Sequence, residues 1–206
     1  MAESAWPTIH AERAALADDL AGLTEAQWHT PSLCAGWNVH DVLAHQVATA
    51  KMTPPKFFAK FLAAGFSFTR FANKAIAVEG ANGPAATLAE FRRVQTATTS
   101  PPGPKDSWLG EALVHAEDIR RPLGIKRDYP LSWVTRALDF YAKSNALIGA
   151  KSRVAGVTLN ATDTTYSRGS GPAVEGPAMS LLMAACGRKA ALDDLSGPGV
   201  EILRSR

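Results

Sequence analysis

Three residues of the chain, His45, Glu111 and His115, are of the types that bind a divalent transition metal. Glu111 and His115 are four residues apart in the segment GEALVHAEDIRRPLG, so a helix through them projects both side chains from one face. His45 ends the segment NVHDVLAH, which is typical of a second helix. Two imidazole nitrogens and one carboxylate oxygen suit a zinc-like ion and leave one coordination position open, as a catalytic metal requires.

The same residues also have ordinary structural interpretations. A Glu–His pair at this spacing often stabilises an exposed helix surface, and a histidine inside the apolar segment VLAHQVA is often a core residue bonded to the backbone. Asp118 comes three residues after His115 and could orient its ring as a hydrogen-bond acceptor. The charges at Glu117, Asp118, Arg120 and Arg121 predict a separate, solvated side of this helix.

Four nearby residues are assigned structural roles. Cys34 lies between loop residues with no predictable basic partner, so packing is favoured over a nucleophilic role. Trp37 and Trp108 precede the two ligand-bearing segments and are expected to anchor the helix starts in the core. His40 is five positions before His45, which places it on another side of the helix, and we expect it at the surface.

The elements that must position the candidate ligands are mainly helices. Asn38 is a suitable N-cap for the helix of His45, with Asp41 as its capping-box partner. Hydrophobic periodicity predicts further helices over residues 8–23, 56–77 with a break near Gly65, 85–96 and 131–148. After about residue 151 the chain is rich in Val and Thr, which predicts a β-hairpin or two short strands.

Two regions follow from this pattern. Residues 1–150 are predicted to form an up-down four-helix bundle, and residues 151–206 a small α/β element. Within the second region, residues 178–186 predict a short apolar helix, and VEIL at 200–203 predicts a last strand.

Composition excludes several classes of protein. The net charge is +3 and the bases are dispersed, which argues against a nucleic-acid partner. The two cysteines lack metal or disulfide spacing, and no signal peptide is visible at the N-terminus, so we expect a cytoplasmic protein. The most apolar stretch, residues 57–71, is interrupted by Lys60, Gly65 and Arg70, and we expect no membrane partner.

Two motif blocks carry a family resemblance. The stretch LTEAQWHTPSLCAGWNVHDVLAHQ, followed by GEALVHAEDIRRPLG, resembles the mycothiol-dependent maleylpyruvate isomerase family of the DinB-like superfamily. The resemblance covers most of the first 125 residues or so. It implies a four-helix bundle that holds a zinc-like divalent ion on a histidine from one helix and a glutamate and a histidine from a later one. Those positions correspond to His45, Glu111 and His115.

The C-terminal part is similar as well, through Gly187 and Arg188 in GPAMSLLMAACGRKAALDDLSG. By this resemblance, Arg188 helps to bind the acidic thiol cofactor or the substrate. The alternative is that Gly187 is simply a helix C′ residue and Arg188 a terminal charge favoured by the helix dipole.

The resemblance implies a metal-dependent isomerase or S-transferase in which mycothiol, a sugar-linked cysteine cofactor, attacks a small electrophilic substrate. A divalent ion, expected to be zinc, would favour the reactive thiolate. The sequence assigns no catalytic residue beyond the metal ligands, and it leaves the substrate and the oligomeric state open. One alternative is a non-catalytic DinB-like metal-binding protein. Another is a helical interaction domain in which His45, Glu111 and His115 never meet.

Overall fold

The computed structural model describes residues 3–146 and 148–206. The chain divides into two compact units, Met1–Lys126 and Arg127–Arg206. No helix within the described residues combines the length and the apolar character that a membrane crossing requires.

The first unit is helical. Its helices are α1 (Trp6–Asp19), α2 (Glu25–Trp28), α3 (Val39–Ala50), α4 (Pro54–Ala63), α5 (Phe68–Glu79), α6 (Gly83–Val94) and α7 (Lys105–Arg120). Helices α1, α7, α3 and α6 pack against one another in a ring, which makes a four-helix bundle, and α5 packs on the outside of α3. The predicted mainly helical fold is confirmed.

Local sequence sets where α3 begins. The Asn38 side chain accepts the Asp41 amide N–H at 2.8 Å, and the Asp41 carboxylate accepts the Asn38 amide N–H at 3.0 Å. This reciprocal pair satisfies two amide groups that a helix start leaves without partners. The N-cap predicted from the sequence is therefore confirmed.

The predicted break near Gly65 is also present. Gly65 and Phe66 both adopt positive φ angles, 62° and 58°, between the end of α4 and the start of α5. The two helices with this turn, residues 54–79, are called the α4–α5 hairpin below.

The prediction that the charged residues of helix α7 form a solvated side is wrong. Asp118 and Arg120 are fully buried and Glu117 is nearly so. The Arg120 guanidinium contacts Glu12 of α1 and donates to Asp19 Oδ2 at 2.7 Å. The prediction was wrong because these charges are paired with other protein groups, and pairing permits burial that an isolated charge could not tolerate.

The bundle core is apolar around these pairs. Residues from five of the helices and their connections meet in one buried cluster that includes Leu16, Leu20, Trp28, Val39, Val42, Leu43, Val47, Leu88, Phe91, Ala116 and Ile119. Because α7 contributes to this cluster and also carries paired charges, nearly its whole length lies inside the unit.

The second unit combines helices with a small sheet. Its elements are α8 (Leu131–Lys143), α9 (Ala150–Arg153), β1 (Thr158–Ala161), β2 (Ser167–Gly169), β3 (Ala173–Gly176), α10 (Ala178–Ala185), a 3-10 helix (Lys189–Asp194) and α11 (Val200–Arg204). The strand order is β2–β1–β3, with β1 antiparallel to β2 and parallel to β3.

Four details of this unit differ from the predictions. Helix α8 ends at Lys143 rather than near residue 148, and β3 adds a strand to the expected two. The segment VEIL lies in α11, where Val200 and Leu203 are buried three residues apart, as on one face of a helix. Because α8 packs on α10, the compact unit begins at Arg127, before the domain boundary expected after residue 150.

Candidate metal centre

Helices α3 and α7 pack against each other and carry the candidate ligands on their facing sides. Glu111, His115 and Asp118 follow one face of α7 at positions i, i+4 and i+7. His45 on α3 places Nε2 3.6 Å from Glu111 Oε1, and the His45 and His115 ring centroids are 5.0 Å apart. One ligand atom from each of His45, Glu111 and His115 lies within 4.8 Å of the other two. The alternative in which these residues never meet is therefore wrong.

The Glu111 side chain is mostly buried, with 13% of its surface exposed. Burial raises the pKa of the Glu111 carboxyl, while the charges of His115 and Arg13 and a hydrogen bond from Thr49 act in the opposite direction. The Oε1 atom is buried and has no hydrogen-bond partner. The distance of 3.6 Å from Glu111 Oε1 to His45 Nε2 is too long for a hydrogen bond, so the two atoms face each other without bonding.

His115 is held by a second acid. Its Nδ1 lies 2.9 Å from Asp118 Oδ2, which confirms the predicted orienting role of Asp118. Burial alone would disfavour the charged ring, but hydrogen bonds to Asp118 and Cys34 outweigh it and raise the pKa of His115 to about 10. With Nδ1 engaged, Nε2 is the ring nitrogen left for a metal.

Cys34 belongs to the same network. Its Sγ lies 3.0 Å from Asp118 Oδ2 and 3.5 Å from His115 Nδ1. Cys34 also packs against the bundle core, as predicted, but the packing prediction missed its contacts with Asp118 and His115. Its polar partners are more than 80 residues away in the sequence, so spacing could not have found them. The signal that could have is its position inside the motif block PSLCAGW.

The loop before α3 places Cys34 against α7. Pro31 and Asn38 form an isolated bridge that closes this loop, and Gly36 supplies the positive φ of 80° that its turn requires. The Leu33 amide N–H then donates to the Asp118 main-chain carbonyl at 3.2 Å. Asp118 thus fixes the loop through its backbone and binds Cys34 through its side chain.

Trp37 forms a wall beside the imidazoles. Its ring centroid is 5.0 Å from that of His45 and 6.4 Å from that of His115, and its Nε1–H donates to Asn73 Oδ1 at 3.1 Å. Trp37 also packs against the core, as predicted, but the helix-anchor prediction missed its contact with the site. Trp108 is buried, in agreement with the prediction for it.

His40 lies outside the ligand set, although not at the surface as expected. It is half-buried, with Nε2 2.9 Å from Thr87 Oγ1 of α6. Desolvation lowers its pKa, with smaller effects from neighbouring charges. The surface prediction was wrong because α6 covers this side of α3.

In the described part of the chain, two overlapping groups of residues have the spacing to hold a metal ion: His45, Glu111 and His115, and Cys34, His115 and Asp118. The second group already forms hydrogen bonds among its own members. The first group contains the unpartnered Glu111 oxygen. Buried polar atoms almost always have hydrogen-bond partners. A buried carboxylate oxygen without one is suited to bind a cation.

Arg188 lies in the second unit, just after α10. The Gly187 amide N–H donates to the Ala184 carbonyl and the Arg188 amide N–H to the Met183 carbonyl, with Gly187 at φ 88°. This is a Schellman motif, so Gly187 acts as the helix C′ residue. The half-buried Arg188 side chain donates to the Cys186 carbonyl at 2.9 Å, and its role with a cofactor stays a prediction.

Part of the first unit matches the sequence profile of a known protein family. Residues 9–103 match the sequence profile described as the mycothiol maleylpyruvate isomerase N-terminal domain. This segment of the first unit is therefore similar in sequence to that domain. The match includes Cys34 and His45, while Glu111 and His115 lie beyond its end. No curated protein matches the sequence.

Two solved structures share the fold of this domain and of the rest of the chain. They are the crystal structures of the mycothiol-dependent maleylpyruvate isomerase, with a TM-score of 0.61, and of a histidine-to-alanine mutant of it, with a TM-score of 0.64. Each is 16% identical in sequence, and each comparison covers 94% of this chain and 91% of the other. An identity this low shows a common fold alone.

Proposed function

We propose that the first unit binds one divalent metal ion, expected to be zinc, through His45, Glu111 and His115. We further propose that the protein is a metal-dependent enzyme of the mycothiol-dependent isomerase or S-transferase type. The observation that carries the metal site is the buried Glu111 Oε1, which has no hydrogen-bond partner and faces His45 Nε2 at 3.6 Å.

Distances and charge both support a metal at this position. Two ligand atoms at about 2.0–2.1 Å from a tetrahedral zinc are about 3.3–3.4 Å apart, close to the observed His45–Glu111 separation. Without a cation, burial favours the neutral Glu111 carboxyl and the network favours the protonated His115 ring. A divalent cation favours the ionised carboxylate and the neutral imidazole, which are the forms that ligate.

The surrounding residues would prepare this site for chemistry. Asp118 holds the His115 ring in one orientation, and Cys34 binds the same carboxylate. Trp37 packs beside both imidazoles and limits the directions from which a ligand can reach them. A divalent ion bound there would lower the pKa of a thiol ligand and so supply a nucleophile near neutral pH. Three protein ligands leave a fourth position for that thiol.

Metal analysis of purified Glu111→Gln protein tests the site. We expect the wild type to bind about one equivalent of zinc and the variant to lose more than about 90% of it, because a neutral amide is a poor zinc ligand. Glu79→Gln is the matched control, since Glu79 is also a partly buried glutamate of this unit but bonds to Lys51. Equal metal content in the wild type and Glu111→Gln would contradict the site.

Turnover separates the enzyme from its alternative, a non-catalytic DinB-like metal-binding protein. Mycothiol-dependent isomerisation of maleylpyruvate, and S-transfer to electrophilic acceptors, would be measured before and after chelation and again after zinc is restored. We expect activity to require both metal and thiol. Activity that survives chelation would contradict the mechanism. A zinc-loaded protein without turnover would favour the non-catalytic alternative.

A further inference from the structure

The α4–α5 hairpin exposes apolar side chains in a way that the rest of the described chain does not. Every large hydrophobic side chain that is more than half exposed in the described residues lies on it: Phe58, Leu62, Phe66, Phe68 and Val78. No residue of α4 is buried. A cluster of this kind on one element marks an interaction surface, whereas single exposed apolar residues do not.

Stacked rings hold the two helices of the hairpin together, and of the five exposed side chains Phe68 takes part in this stack. Phe61 stacks on Phe57 at 5.5 Å and meets Phe68 at 4.5 Å, and Phe57 meets Phe71 at 5.3 Å between ring centroids. Phe58 and Leu62, one helical turn apart on α4, are 61% and 62% exposed, although the Phe58 ring meets the Phe57 ring edge-on at 5.5 Å between centroids. The inner rings stabilise the hairpin, and the outer side chains remain available to a partner.

Phe66 strengthens this interpretation. It sits at the tip of the hairpin with a φ of 58° and is 69% exposed. A bulky residue with positive φ is strained, and most turns use glycine or asparagine instead. The Phe66 ring meets the Phe61 ring edge-on at 5.7 Å between centroids but stays mostly in solvent, so this packing offsets only part of the strain and a partner is favoured as the source of the rest.

The exposed charged side chains of the hairpin are all basic, and its one acidic residue, Glu79, is mostly buried and paired with Lys51. Lys56, Lys60, Arg70 and Lys74 are exposed on the hairpin, and the sequence has no acidic residue between Asp41 and Glu79. A shallow crevice of about 210 Å³ between the two helices has an apolar floor and the two lysines Lys60 and Lys74 in its lining. The partner must therefore offer hydrocarbon and negative charge together.

We propose that the α4–α5 hairpin docks on the surface of an anionic lipid bilayer, with the outer apolar side chains in the acyl region and the basic residues at the phosphates. Helices with an aromatic face and a basic face lie in the membrane interface in this way. A symmetric contact between two copies of this chain would oppose four positive charges with four more, which disfavours it.

The proposal departs from the sequence expectation of no membrane partner, which stays a prediction. That expectation rested on the length of uninterrupted apolar chain that a bilayer crossing requires. Lying on a bilayer requires only one apolar face, and Lys60 and Arg70, which interrupt the apolar stretch, supply the charge that anionic lipid attracts.

Co-flotation with vesicles tests the proposal. We expect the full chain to float with vesicles of about 30% phosphatidylglycerol in phosphatidylcholine, and to bind pure phosphatidylcholine far more weakly. Lys56→Gln/Lys60→Gln should lower the partition coefficient by roughly 25-fold, about five-fold per charge. Phe58→Ser/Phe66→Ser should lower it by more than about ten-fold, because two rings no longer enter the acyl region.

Controls distinguish docking from general effects. Lys126→Gln/Lys189→Gln removes the same charge from exposed positions outside the hairpin and should leave binding within about two-fold. Circular dichroism and zinc content should be unchanged in every variant. Absence of binding to the anionic vesicles, or equal binding by Phe58→Ser/Phe66→Ser, would overturn the proposal. So would a wild-type dimer, detected by light scattering, that this variant converts to a monomer.

Discussion

Helices α7 and α4 belong to the same unit and treat their side chains in opposite ways. Helix α7 buries Asp118 and Arg120, whereas α4 leaves Phe58 and Leu62 mostly in solvent. The difference lies in partners: the charges of α7 meet opposite charges and hydrogen-bond donors, and the outer apolar side chains of α4 meet nothing in the described structure that covers them. Residue type alone therefore does not decide burial here. The buried Asp118 belongs to the candidate metal centre, and the exposed Phe58 and Leu62 belong to the proposed lipid-binding surface.

The largest expected effect tests the buried charges of α7. Arg120→Ala should lower the free energy of unfolding by about 3–5 kcal/mol, because it leaves the Glu12 and Asp19 carboxylates without their cation. Urea unfolding followed by circular dichroism measures it. Arg121→Ala removes an arginine that lies partly in solvent and pairs with Glu117, and it should cost less than Arg120→Ala. Equal losses would show that burial of the charge is irrelevant.

The second prediction tests whether the buried Asp118 supports metal binding or only stabilises the folded chain. Asp118→Asn should weaken zinc binding by about 10–100-fold, because the His115 ring loses the acceptor that orients it. Competition with a chromophoric chelator measures the affinity. Cys34→Ser keeps a donor to Asp118 and should stay closer to the wild type than Cys34→Ala. An unchanged affinity in Asp118→Asn would assign this acid to the fold alone.

A smaller effect concerns charges at the surface of the same unit. Lys51 at the end of α3 and Arg93 hydrogen-bond Glu90 and hold its pKa at about 2, below the ordinary 4.5. A lowered folded-state pKa contributes stability above about pH 4.5, and that contribution is lost as the pH falls towards 2. We expect Glu90→Gln to cost less than about 1 kcal/mol near pH 6. The cost should shrink near pH 3, as measured by urea unfolding at both pH values.

The smallest effect is expected on α4 itself. Leu62→Ala should change the free energy of unfolding by less than about 0.5 kcal/mol, since Leu62 is mostly exposed. The same substitution at Leu113, which is buried on α7, should cost about 2–5 kcal/mol. Thermal or urea unfolding of the two variants compares the helices directly. A large loss at Leu62 would mean that the folded chain already covers this residue.

Sequence reasoning succeeded where the signal is local. The capping residues Asn38 and Asp41 act on their own helix start, and the break at Gly65 follows from backbone freedom at one position. Helical spacing placed Glu111 and His115 on one face for the same reason. The convergence of His45 with them needed the packing of α3 on α7, which the family resemblance implied and spacing alone did not.

The sequence-based predictions failed for residues whose contacts lie far away in the chain. The solvated side expected for α7 is buried because Glu12 and Asp19 of α1 approach Arg120. The sequence favours a packing role for Cys34 because its hydrogen-bond partner Asp118 is 84 residues away and no local pattern indicates the contact. The segment VEIL contains residues that favour strands, yet it is helical because Val200 and Leu203 pack on one side. In each case tertiary contacts outweighed a correct reading of local composition.

Asp118 also joins the loop before α3 to the candidate metal site, since its carbonyl accepts the Leu33 amide while its carboxylate binds His115. An amide hydrogen exchanges with solvent only when its hydrogen bond opens. Opening at Leu33 separates the loop from the residue that orients the imidazole. The deuterium uptake of this single amide therefore reports how firmly His115 is held, without any need for turnover or a spectroscopic metal.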